Sequence, residues 1–271
     1  MFGAVDIGGT KTLVAVFNKT GEIIERQKFA TPENYDEFKG ELEKVVSGLE
    51  TKDFLRAVVA IPGKVDRKHG RGIVFGNLPW KHVPVGHDTE RIFNAPVQVE
   101  NDANLAGLSE ALLVHDKYKK VLYVTISTGI GGAYVINGVL DPNTIDAEVG
   151  HMTLQHGEKF EIWEKFASGK AIVAKYGMLA SEIEDPEIWE AIARNIASGF
   201  INLIAVLDPE VIIVGGGVGT HLAKFKTPLE NNLRKLQSPV LNIPEIQQAQ
   251  RAEEAVIYGC YEFAKQHHES R

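Results

Sequence analysis

From Ala147 to Gly169 the chain reads AEVGHMTLQHGEKFEIWEKFASG, which brings Glu148, His151, His156, Glu158, Glu161 and Glu164 into one short stretch. Carboxylates and imidazoles this close can hold a metal, bind a polyol or coat a solvated helix. A polyol needs such a mixture, because each hydroxyl both donates and accepts. Glu148 and His151 lie three apart, just before a strand-like segment. The pattern predicts a helix over roughly 160–178, with Glu164 on it and with Glu158, Glu161 and Lys165 on a solvated face. A second acidic position is Asp102, which follows the strand PVQVE and opens the helical stretch NDANLAGLSEALL. Asn101 or Asp102 could cap that helix. Alternatively, Asp102 is a carboxylate at the end of a strand, facing a cleft and able to take the proton of an attacking hydroxyl.

Three glycine-rich turns could cradle phosphate: DIGGTK (Asp6 to Lys11), STGIGG (Ser127 to Gly132) and GGGVG (Gly215 to Gly219). Glycine lets backbone N–H groups converge on an anion, and Thr or Ser hydroxyls add donors. Neither common nucleotide motif fits. DIGGTK leads into a strand rather than the helix a P-loop needs, and Gly215–Gly217 lack the acidic residue of a dinucleotide site. Any one of these is a plain tight turn. All three together, with Asp6 placed to hold a phosphate-bound Mg²⁺ through water, favour nucleotide phosphate binding.

These residues need elements to position them. FGAVDIGGTKTLVAVFNKTGEII predicts three strands joined by turns, and YDEFKGELEKVVSGLE a helix. FLRAVVAIPG reads as a buried strand ending at Pro-Gly. KKVLYVTISTGIGGAYVINGVL repeats strand, glycine turn, strand, with Asn137-Gly138 as a hairpin turn. Further helices are predicted near 186–207, 226–237 and 252–267, and a strand at PEVIIVG. VDIGGTKTLVAVFNKTG and VTISTGIGGAYVINGV share one plan. They are either the openings of two copies of one fold with a cleft between them, or two unrelated hairpins in one α/β domain.

The 271 residues are 44% hydrophobic and 24% charged, with net charge -7. No basic block supports a nucleic-acid surface. Cys260 stands alone, so neither an internal disulfide nor a multi-cysteine zinc site is possible. The start lacks a signal-peptide pattern, and the longest apolar run, Gly199 to Leu207, is too short to span a bilayer. The expectation is a cytoplasmic protein with no membrane partner.

In order and combination, VDIGGTKT, AIPGKVD, GNLPW, VENDANLAGLSEA, ISTGIGGAYVINGVL, EVGHM, WEKFASGKAI and VIIVGGGVG resemble the ROK sugar kinases. That resemblance implies an α/β, two-lobed actin-like (ribonuclease H-like) ATPase fold with an inter-lobe cleft. It sets an N-terminal lobe at 1–116, a C-terminal lobe at 117–250 and a last helix, 250–271, packing back on the first lobe. By the same resemblance Asp102 is the catalytic base, and Asn101, Glu148, His151 and Glu164 bind sugar hydroxyls, with Gly63 and Asn77 beside them. Gly8, Gly9, Thr10, Lys11, Thr128 and Gly129 match the phosphate turns, and Gly216 and Gly217 the turn beside adenosine. The implied function is ATP- and Mg²⁺-dependent phosphorylation of a hexose 6-hydroxyl by a homo-oligomer, most simply a dimer. Many members carry a DNA-binding helix-turn-helix; this sequence starts at the first kinase strand, and no nucleic-acid partner is expected.

Most of the family holds zinc after the EVGH-like segment with a CxCGxxGCxE pattern. Here Gln155, Gly157 and Ile162 stand at the cysteines and only Glu164 survives. The stretch is therefore expected to be a sugar site with no structural zinc. Phe160, Ile162, Trp163 and Phe166 are candidates for apolar packing in its place. Two other readings are a polyphosphate-dependent glucokinase and a non-catalytic sugar sensor. Polyphosphate needs an extended basic groove, and net charge -7 with no Lys/Arg cluster argues against the first, while retention of Asp102 and the phosphate turns argues against the second.

Overall fold

Alternating β-branched residues drive the first hairpin. In the computed structural model, which describes residues 1–269, β1 (Phe2–Ile7) pairs antiparallel with β2 (Lys11–Phe17), and β3 (Ile23–Ala30) adds outside β2. Helix α1 (Tyr35–Gly48) starts where the Asn34 side chain accepts from the backbone N–H of Asp36 and Glu37. It buries Phe38, Leu42 and Val46, one face at helical spacing. β4 (Arg56–Ile61) is buried throughout and runs parallel to β1.

A small antiparallel sheet comes next, β5 (Gly63–Asp66), β6 (Arg71–Phe75) and β7 (Leu78–Val83), followed by α2 (Val85–Phe93). The sequence reading missed these four elements, because their short runs are broken by glycine and charge. β8 (Val97–Asn101) then joins β4 in parallel and leads into α3 (Asp102–Leu113).

Strands β9 (Lys120–Ile126), β10 (Ile130–Ile136) and β11 (Val139–Leu140) repeat the opening plan. Asn137 and Gly138 both take positive φ, 54° and 77°, as a tight hairpin turn between twisted strands requires. The helix expected over 160–178 is a correction. Residues 159–162 form β13 (Lys159–Ile162), paired antiparallel with β12 (Thr153–His156), and two short helices follow, α4 (Glu164–Ala167) and α5 (Gly169–Tyr176). Gly157, at φ 63°, turns the hairpin.

α6 (Pro186–Leu207) matches its expected range. Pro186 sits in its first turn and Asp185 caps it. It is long and apolar enough, by length and composition, to cross a membrane, although its longest apolar run is not. Trp189, Ile192, Ile196, Phe200 and Leu203 of α6 are buried in a protein core. β14 (Val211–Gly215), α7 (Gly216–Gly219), α8 (Leu222–Leu236), β15 (Glu245–Gln248) and α9 (Ala255–Glu269) complete the chain.

Two units result. One is Met1–Ser109 with the chain from Glu253 onward, and the other is Glu110–Ala252. In the first, the main sheet runs β3-β2-β1-β4-β8, and α9 packs on β1 and β4. In the second it runs β11-β10-β9-β14-β15. Each sheet has two antiparallel pairings followed by two parallel ones. The shared strand order extends the sequence repeat beyond its hairpins.

Candidate functional site

In the first unit the β1–β2 turn is the first phosphate candidate. Gly8 N–H donates to the Lys11 carbonyl at 3.0 Å. Thr31, just past β3, holds this turn from outside: its N–H donates to the Thr10 carbonyl (3.0 Å) and its hydroxyl to the Gly8 carbonyl (2.8 Å). Thr31 also shares a hydroxyl hydrogen bond with buried Thr12. No local signal pointed to Thr31, because the contact joins residues 23 apart. Gly9 backs onto Asn77 so closely that a Cβ there would lie 2.9 Å from the Asn77 Cβ. The structure thus brings this turn and one sugar candidate together.

Asn101 is the residue that caps α3. Its Oδ1 accepts from the N–H of Ala103 (2.9 Å) and Asn104 (3.2 Å), while its Nδ2 donates to the Gly63 carbonyl (3.0 Å). Gly63 is demanded by geometry: its φ is 152°, and a Cβ would fall 2.0 Å from the Val74 carbonyl oxygen. Asp102 stands at the first position of α3, where its Oδ1 accepts from Ala103 N–H at 2.8 Å. Asp6 lies within electrostatic reach of Asp102. Burial first, then the Asp102 charge, push Asp6 up to about 7, and Lys28 opposes the shift. Asp6, next to the Gly8–Lys11 turn at the end of β1, is an oxygen donor of the type a hard divalent cation such as Mg²⁺ takes.

In the second unit Glu148, His151 and Glu164 do come together. His151 Nδ1 is 3.6 Å from Glu148 and Nε2 is 3.8 Å from Glu164. All three keep exposed surface, with Glu164 the least. Glu164 opens α4 and lies against the β9–β10 turn, where its Oε2 would meet a Cβ on Gly129 at 2.7 Å. That turn, with Thr128 exposed at its tip, is closed by Ser127 N–H donating to the Gly129 carbonyl, and Gly169 N–H donates to the Ser127 carbonyl. Gly216 follows β14 at φ 78°, with room for no side chain: a Cβ would approach the Ile126 carbonyl to 2.5 Å. Gly217 has nothing within 4 Å of a built Cβ and lies in the same short helix.

The hairpin at 153–162 has its own brace. The His156 ring stacks on Phe166, with centroids 4.2 Å apart, and His156 Nδ1 is 2.9 Å from Glu161. Glu158 and Glu161 therefore do not share a helix face. Trp163 is fully buried, and its indole N–H donates to the Asn195 carbonyl on α6. Of the expected apolar set, Trp163 and Phe166 pack inside, Ile162 is half-buried, and Phe160 is 77% exposed. Phe160 lies on the two-stranded β12–β13 hairpin, and both residues at the start of β13 are exposed.

A ROK family model matches residues 2–267. The chain is 31% identical to an N-acetylmannosamine kinase of Vibrio cholerae serotype O1, over 89% of this chain and 91% of that protein. Among solved structures it is similar to a ROK family glucokinase from Streptomyces griseus in complex with glucose and AMPPNP, at 26% identity and TM-score 0.80, covering 98% of this chain and 99% of that one. A ROK hexokinase from Thermus thermophilus matches at 25% identity and TM-score 0.83, covering 100% and 99%.

Proposed function

Because the chain belongs to the ROK family and has the actin-like ATPase fold of its sugar kinases, we propose that it is an ATP-dependent kinase acting on the 6-hydroxyl of a hexose, with Asp102 as general base. The observation that carries this reading is Asp102 at the first position of α3, in the same unit as Asp6 and the Gly8–Lys11 turn. One carboxylate is set to receive a proton, and the other is set against phosphate and its counter-ion.

In this mechanism Glu148, His151 and Glu164 are the second unit's candidates for pairing with sugar hydroxyls, and Asn101, Asn77 and the Gly63 backbone are those of the first. A site built to satisfy several hydroxyls rejects analogues that leave its groups unpaired. Backbone N–H groups of the Gly8–Lys11 and Thr128–Gly129 turns orient the phosphates, Gly216 sets the turn after β14, and the open side of Gly217 leaves space for the adenosine. Asp102 accepts the proton as the sugar oxygen bonds to the γ-phosphorus and the bond to the ADP oxygen breaks. Mg²⁺ bound with the nucleotide would sit near Asp6 through water and neutralise charge on the β- and γ-phosphates. The relatives' substrates support glucose and N-acetylmannosamine as first candidates.

The test is ADP release from MgATP against glucose, mannose, fructose, N-acetylglucosamine and N-acetylmannosamine, with polyphosphate as a parallel donor. Turnover of one sugar is expected, and Asp102→Asn should abolish it while sparing sugar binding. Silence across the panel with sugar still bound would favour a sensor. Equal rates for wild type and Asp102→Asn would remove Asp102 from the chemistry.

A further inference from the structure

We propose that Arg67 is a positioning residue for this phosphoryl transfer: its ion pair with Glu100 fixes the sheet carrying Gly63 and Asn77 against the turn carrying Asn101 and Asp102. The inference rests on the kinase reading above and concerns a residue outside the substrate contacts.

Glu100 is the residue before Asn101, and its carboxylate is fully buried. It accepts from Arg67, Asn101 and Asn104. Arg67 Nε reaches Oε2 at 2.6 Å, and Arg67 Nη2 reaches Oε1 at 2.6 Å. Asn101 N–H (2.7 Å) and Asn104 Nδ2 (2.8 Å) also donate to Oε1. The Arg–carboxylate contact is therefore a two-point fork, which fixes orientation as well as distance.

Arg67 itself is held in place. It opens a single turn, Arg67–His69, between β5 and β6, and Asp66 caps that turn by accepting from His69 N–H. The fork is thus anchored at both ends, on the small sheet and on the end of β8. The Asn101 amide bonded to the Gly63 carbonyl forms a second tie between the same two elements. Gly63 and Asn77 lie on one side of these ties, and Asn101 and Asp102 lie on the other.

A buried ion pair is a poor route to stability, since apolar residues of similar volume often do as well. What it does supply is a fixed register. The side that holds the sugar and the side that deprotonates it are 33 residues apart in sequence at Arg67 and Glu100. A shift of about 1 Å between a reacting group and its base costs on the order of 10²-fold in rate.

The experiment compares wild type, Arg67→Lys and the double variant Arg67→Met/Glu100→Gln in full-length protein, with melting and steady-state kinetics on whichever sugar the wild type phosphorylates. Lysine keeps the charge but loses the fork. Arg67→Lys should melt near wild type, lose kcat by about 10- to 100-fold and leave the KM for ATP unchanged. The double variant removes the buried charge together with its partner, so it should also melt near wild type while its kcat stays as low as that of Arg67→Lys. If the double variant or Arg67→Lys keeps wild-type kcat, Arg67 has only a structural role. A wild type inert toward every sugar overturns the kinase reading and this inference with it. An active wild type matched by Arg67→Lys overturns this inference alone.

Discussion

Replacing Asp6 by Asn should change how stability depends on pH. In the folded protein Asp6 is pushed up to about 7 from an ordinary value of 3.8, chiefly by burial and then by Asp102. Between those values the folded state holds a proton that the unfolded state has released. Stability contributed at this site therefore falls as pH rises from about 4 to about 7, and the loss levels off above that. A shift of roughly three units at about 1.36 kcal/mol each sets a ceiling of about 4 kcal/mol. Asp6 keeps some exposed surface, so about 2 kcal/mol is the working expectation. Asn keeps the shape and does not titrate. In EDTA, which keeps divalent cations off Asp6, Asp6→Asn should already melt slightly above wild type at pH 5, by about a third of the full gap. At pH 8 Asp6→Asn should melt higher by roughly 4 °C, at about 2 °C per kcal/mol for a chain of this size. Asp102→Asn should reduce the wild-type slope without abolishing it, because burial is the larger cause. A gap between wild type and Asp6→Asn that stays the same from pH 5 to pH 8 would refute the argument.

Trp163→Ala should cost about 3–5 kcal/mol, measured by denaturant unfolding, because it empties a fully buried site. Gly63→Ala should lower the melting temperature and weaken sugar binding by calorimetry, since its Cβ would fall 2.0 Å from the Val74 oxygen and displace the carbonyl that holds Asn101. Protein purified from zinc-replete medium should carry no stoichiometric zinc by elemental analysis, since Gln155, Gly157 and Ile162 offer no thiolate.

Local periodicity explains most of what the sequence made legible. The opening hairpins, α1 and α6 have long, regular apolar patterns, and each was visible before the structure. The same logic misread residues 159–162. Phe160, Trp163 and Phe166 recur every three residues, which suits a helix, yet KFEI alternates as a strand does. In so short a run both periods fit. The deciding signal was Gly157 between two four-residue strands, a turn that takes φ 63°. Convergence over distance was legible only where a motif pattern stood in for geometry. That is why Glu148, His151 and Glu164 were grouped in advance, and why Thr31 and Arg67, which no pattern flags, were not. The hairpin shows how such a pattern can be kept while its support changes. In the family this chain resembles, cysteines and zinc occupy that position. Here the His156 ring on Phe166 joins the hairpin to the helix that Glu164 opens, and Trp163 joins that helix to α6. The stack and the buried indole tie the hairpin, α4 and α6 together, and Glu164 stands 3.8 Å from His151.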